Sequence, residues 1–257
     1  MRIKFIARAT ALILVALPLL AQQPAQKGPH PKSQKELEAL QKVQTAQTAK
    51  DIDGELAAIN YVLENFTDTD FKMQLLNMGM GAAEQKNDPV LIVTWGERIL
   101  QADPNDIPSR IMMAEVTAQR TRENDLDKAQ SIQKINDYAH KALDLLKTAT
   151  APPPGLPDAQ WPEYKKELTS QAHDALGQAD ALDKKYEDAI TEYKTALDAN
   201  PSALTTARLA KVYVDNKQYD DAIGAADKVL AMNDAPPSVK SFAQAQKDAA
   251  TKLKSAK

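Results

Sequence analysis

The sequence contains no cysteine, which removes disulfides, thiolate metal sites and cysteine nucleophiles at once. Glycine is scarce at 8 residues in 257, and there is no Gly-rich phosphate loop, no Gly-x-Ser-x-Gly elbow and no His-Glu-x-x-His pair. Aromatics make up only 5%, and the Val, Ile and Thr runs that build sheets are nearly missing. Of three histidines, His30 lies in a Pro-rich stretch, and His140 and His173 have no second histidine three or four residues on. These gaps argue against catalysis and against a bound metal or cofactor. A net charge of −3 without clustered Lys and Arg argues against nucleic acid as a partner.

What is abundant is Ala, Leu, Lys, Gln, Glu and Asp, which favours an all-α fold. Arg2, Lys4 and Arg8 precede a short, weakly polar to apolar stretch over 9–21, and polar residues follow. That order predicts a secretory signal peptide, 1–21, cut after Ala21, and hence a periplasmic or secreted protein. The stretch is short of the roughly 20 apolar residues of a spanning helix, so no stable membrane insertion is expected once it is removed. Without it the formal charge moves from −3 to −6. Pro24, Gly28, Pro29 and Pro31 predict an unstructured leader over 22–32.

From Ser33, a candidate N-cap with Glu36 three residues on, apolar residues recur at helical spacing. Leu37, Leu40 and Val43 mark a first helix, Leu56, Ile59, Leu63 and Phe66 a second, and Phe71, Leu75, Met78 and Ala82 a third. A fourth buries Ile92, Trp95 and Ile99 after the stop at 87–89, and a fifth turns Ile111, Ala114 and Ala118 inward. The sixth, about 125–148, is the longest, with Ile135, Ala139, Ala142 and Leu146 on one side. The prolines of 151–157 then predict a linker over 149–161 between a helical block at 33–148 and another at 162–257.

The second block contains a duplication. Lys184-x-Tyr186-x-Asp188-Ala189-Ile190 returns 33 residues later as Lys217-x-Tyr219-x-Asp221-Ala222-Ile223, and Asn200 returns as Asn233. A fixed period of this length means stacked helical hairpins. With Leu176-Gly177, Ala189-x3-Tyr193, Ala196 and Pro201 in one copy and Leu209-Ala210-x2-Tyr213 and Ala222 in the next, the region resembles the tetratricopeptide repeat (TPR) family. His173 and Asp180 stand where that family has large aromatic side chains. Weaker echoes upstream, Ala57-x3-Tyr61 and Ile92-x3-Gly96, extend the pattern to about five hairpins plus a capping helix from 237 to about 253.

The resemblance implies a solenoid whose first helices line a concave face that binds a protein or peptide. Mapped onto this chain, that face comprises Asn77, Glu84, Glu115, Asp174, Gln178 and Lys211. Arg208 and Lys211 share one helix and face carboxylates, so a clamp for a C-terminal carboxylate is not implied. A scaffold or adaptor of the cell envelope is therefore expected. Two alternatives stand beside it: a metal-handling or enzymatic protein in which His140, His173 or the methionines converge, and an envelope protein that self-associates through its end helices. Met73, Met78, Met80, Met112 and Met113 are expected to fill core gaps.

Overall fold

In a computed structural model the protein is described for residues 28–153 and 155–256. The expected signal peptide and most of the leader lie outside the described residues. Eleven α-helices occur among them, and no strand. They run α1 (Gln34–Ala49), α2 (Ile52–Asn65), α3 (Lys72–Lys86), α4 (Pro89–Ala102), α5 (Ile107–Arg120) and α6 (Lys128–Thr148). After one 3-10 turn at Asp158–Gln160 follow α7 (Trp161–Leu182), α8 (Tyr186–Ala199), α9 (Ala203–Asp215), α10 (Tyr219–Ala231) and α11 (Pro237–Ser255).

Local chemistry sets the starts. Ser33, Asp51, Asp106 and Ser202 each accept a hydrogen bond from the backbone N–H three residues on, and Asp88 does so for Val90 and Leu91 ahead of a first-turn proline. Glu36 departs from a reciprocal capping box: its carboxylate accepts from the Lys32 N–H at 2.6 Å instead. The stops are repeated. Lys50, Asn87, Lys184 and Lys217, at φ between 51° and 63°, are left-handed residues, and each closes the first helix of a hairpin. In all four, the next N–H bonds back to the carbonyl five residues before it, as Lys185 does to Asp180 and Gln218 to Tyr213. Lys184 and Lys217 are also the first residues of the duplicated motif, so the sequence period marks a turn geometry.

The helices thus pair as α1–α2, α3–α4, α5–α6, α7–α8 and α9–α10, with α11 packed on α9 and α10. This is a TPR-like array of five hairpins and a capping helix. Contacts divide the chain between Pro104 and Asn105. In the first unit Leu40, Val43, Ile59, Leu75, Trp95 and Ile99 form the buried faces. In the second, Ile135, Ala139, Leu146 and Trp161 pack with α5 and with Leu168, Ala172, Leu176 and Ala179 of α7, while Tyr193, Ala210, Ala226 and Val229 join α8 to α11. The helical faces read from the sequence are the buried faces, with Leu37, Leu63 and Phe66 only half-buried.

The expected boundary within 149–161 is not where the contacts thin. Leu156 and Trp161 pack onto the α5–α6–α7 core, and α6 packs directly on α7. The prolines end one helix and start the next without separating the two, because apolar side chains on both sides of the stretch share one core.

Two glycines set the closest approach in the hairpins. A Cβ on Gly79 would lie 2.5 Å from the Trp95 ring, and one on Gly177 would lie 2.8 Å from the Tyr193 ring. Both rings are buried, so neither can step aside. Gly177→Ala should therefore lower stability by about 1–2 kcal/mol in urea unfolding, overpacking outweighing a helix-propensity gain of about 1 kcal/mol. Gly224→Ala, at a helical site with open space around it, should raise stability by up to about 1 kcal/mol. A stabilised Gly177→Ala chain would refute the packing argument.

Candidate protein-binding face

The first helices of the hairpins carry the expected site residues, and the two units are taken separately. In the first, Asn77 and Glu84 lie two turns apart on α3, both half-buried. In the second, Glu115 is on α5, Asp174 and Gln178 on α7 and Lys211 on α9. α5 packs on α7 and α9 on α11, and the Arg208 side chain of α9 reaches Asp174 of α7.

Asp174 is only 4% exposed. Its Oδ2 accepts from Arg208 of α9 and from Gln178 Nε2 at 2.9 Å, while its Oδ1 is buried without a hydrogen bond. Chain order groups Arg208 with Lys211, but its guanidinium is committed to Asp174 and ties α7 to α9. Asp174 and Arg208 are 34 residues apart, one repeat step, a spacing visible in the sequence. Lys211 is exposed and bonds Asp215 at 2.5 Å one turn on. Near it, Lys184 pairs with Glu123 at 2.7 Å, and these lysines hold the Glu123 carboxyl below the usual range, the Lys184 hydrogen bond first. Glu123 and Lys184 carry no helical periodicity, so nothing in the pattern marked them for this face. The face therefore presents Lys211, Gln178 and the Glu123–Lys184 pair over a buried Asp174–Arg208 brace.

The two departures from the family pattern fall on the outer side of α7. His173 Nδ1 lies 2.6 Å from Glu192 Oε2 of α8. Asp180 is half-buried, and burial, then the negative charges of Asp188 and Glu192, push its carboxyl from an ordinary 3.8 up to about 6, with Lys185 opposing. His140 and His173 line the same cavity, of about 480 Å³, against Glu192 and Asp144. Among the described residues, however, no three His, Asp or Glu side chains converge on a metal-binding geometry. Met78, Met80, Met112 and Met113 are buried, as expected of gap fillers, and Met73 is half-buried.

Comparison with known proteins places the architecture. The structure aligns with a crystal structure of the MamA protein at a TM-score of 0.54, with 14% identity over 76% of this chain and 90% of that one. A thermophilic TPR protein of Thermus thermophilus overlaps more loosely, at a TM-score of 0.46 and 16% identity over 82% of this chain and 98% of that one. No family model and no curated protein matches the sequence. At such identity the first alignment bears on the fold alone.

Two measurements test these electrostatics. Arg208→Ala leaves a buried carboxylate without its counter-charge and should cost about 3 kcal/mol in urea unfolding, whereas Lys211→Ala should cost under about 0.5 kcal/mol. For Asp180 the folded value lies above the unfolded one, so the folded chain binds the extra proton between pH about 4 and about 6. Stability therefore falls as pH rises through that window. Asp180→Asn should flatten the slope, leaving the variant about 1 kcal/mol more stable at pH 7.5 and level with the parent at pH 4, after discounting for partial solvation.

Proposed function

We propose that this chain is a non-catalytic scaffold or adaptor of the cell envelope that binds another protein, or a peptide of it, on the concave face lined by the first helices of its hairpins. The observation that carries this reading is the α7–α9 surface. A buried Asp174–Arg208 brace fixes the spacing of the two helices, and exposed or half-exposed polar groups at Gln178 and Lys211 stand over it. A surface that is rigid beneath and polar above suits recognition, since little ordering entropy is lost when a partner seats. Glu115 of α5, at 9% exposure, is buried and offers little surface to a partner, whereas Asn77 and Glu84 of α3, in the first unit, are half-buried.

The envelope part of the reading rests on residues 1–21 of the sequence. No helix among the described residues is long and apolar enough to cross a membrane. Both parts are tested together by expressing the full chain with a photo-cross-linking residue at Lys211 or at Lys228, which is exposed on α10. The mature chain should begin at Gln22 in the envelope fraction. The probe at 211 should give a discrete heterologous adduct that the probe at 228 does not. Identical adducts from both positions, or adducts only between copies of this chain, would overturn the concave-face reading.

A further inference from the structure

Helix α7 runs 22 residues against 13 in α9, one repeat on, and both stop just before the same left-handed turn, so the surplus lies at the start of α7. On one side of the lengthened helix stand Glu167, Gln171, Asp174 and Gln178, at i, i+4, i+7 and i+11. This is the side that Arg208 reaches from α9, while Leu168, Ala172, Ala175 and Ala179 pack instead with α5 and α6. Three of the four carry acceptors that nothing answers. Asp174 is neutralised by Arg208, but only through Oδ2, and its Oδ1 is buried without a hydrogen bond. Gln171 Oε1, on a residue about 4.5 Å back along the helix, is buried without one too. Glu167 is half-buried in the surplus segment, where burial and then Glu163 push its carboxyl above the ordinary range, and no basic side chain among the described residues pulls it back. Buried acceptors without donors are rare in folded proteins, since each has given up water for nothing. Two of them beside an unanswered carboxylate mark a missing donor group.

We infer that this stripe is the anchor point of the concave face and receives an arginine of the partner segment. The inference rests on the concave-face reading and names the side chain that the face selects. A guanidinium carries five N–H donors in a flat fork and one positive charge, so a single group serves Gln171 Oε1 and Asp174 Oδ1 while its charge falls beside Glu167. A lysine ammonium is a compact, strongly hydrated point charge and serves two separated acceptors less well. The balance of charge points the same way. Of the Lys and Arg residues of α7 and α9, Lys166, Arg208 and Lys211 are paired with Glu163, Asp174 and Asp215, and Lys165 is turned to the Ala149 carbonyl. Glu167 is left with its charge unbalanced. Gln171 and Gln178 flank Asp174 on the stripe as half-buried, unbranched side chains, so turning them outward opens Oδ1 to a donor. The floor does not move with them, because Arg208 keeps Oδ2 and holds α7 to α9.

The test uses the whole chain, labelled for amide NMR, and three capped peptides of glycine and serine that carry arginine, lysine or glutamate at the same positions. The arginine peptide should give saturable shifts centred on Glu167, Gln171 and Asp174, and the other two should bind at least about fivefold more weakly. Glu167→Gln, close in shape but uncharged, should weaken the arginine peptide about fivefold. Gln171→Met removes an unanswered acceptor and keeps the volume, so it should raise the urea midpoint while weakening the peptide about threefold. A merely structural glutamine would not move the two in opposite directions. Equal binding of the lysine or glutamate peptide, shifts centred elsewhere, or no saturation by millimolar peptide would overturn the assignment. So would unchanged affinity in both variants, which would leave the acceptors to ordered water alone. The titration needs no natural partner, and the adduct at 211 needs no arginine, so this inference and the concave-face reading fail separately.

Discussion

The stack depends on how closely the two helices of a hairpin can approach. At Gly79 and Gly177 the first helix offers bare backbone, and an aromatic ring from the second lies flush against it, Trp95 in one case and Tyr193 in the other. In both hairpins ring and glycine are 16 residues apart, and the same left-handed turn, at Asn87 or Lys184, closes the chain between them. Turn and contact are one device. The turn fixes where the second helix starts, and the missing Cβ fixes how near it comes, which sets the ridges available to the next hairpin. A chain with 5% aromatics has placed two of its largest side chains at these points.

Once the hairpins are fixed, charges one repeat apart fall opposite each other. Asp174 meets Arg208 across 34 residues, Asp53 meets Lys86 across 33, and Asp220 meets Lys254 across 34. The exposed pairs add little stability, but they favour one register, since a slip by one helical turn would break them together. Asp174–Arg208 differs because it is buried, and removing one partner strands the other. It also explains why α7 and α9 form a firm floor, although α7 has His173 and Asp180 where the family places large aromatics.

Most of this was legible in the sequence. The 33-residue period announced the turns at Lys184 and Lys217, and apolar spacing identified the buried faces of α1 to α6. Burial of Asp174 was not legible: a carboxylate beside Leu176-Gly177 reads as surface, and only the partner one repeat away makes its burial tolerable. The prolines at 151–157 read as a divider for a related reason. Local chemistry shows that a helix stops there, but not that Leu156 and Trp161 will return to the core the chain has just left. Such long-range apolar contacts have no local signature.

The departures at His173 and Asp180 belong with that surplus segment. Where large apolar side chains would seal α7 against α8, this chain has an imidazole joined to Glu192 and a carboxyl whose affinity for protons is raised by burial and by Asp188. Polar groups there require water nearby, and water requires an opening. The same outer side of α7 supplies that opening, since the cavity lined by His173 and Glu192 shares Lys165 and Thr169 with a second one that reaches Trp161. The α7–α8 hairpin thus holds the Gly177–Tyr193 contact on one side and this opening on the other. Both follow from a helix lengthened at its start while its glycine contact with Tyr193 stayed in place.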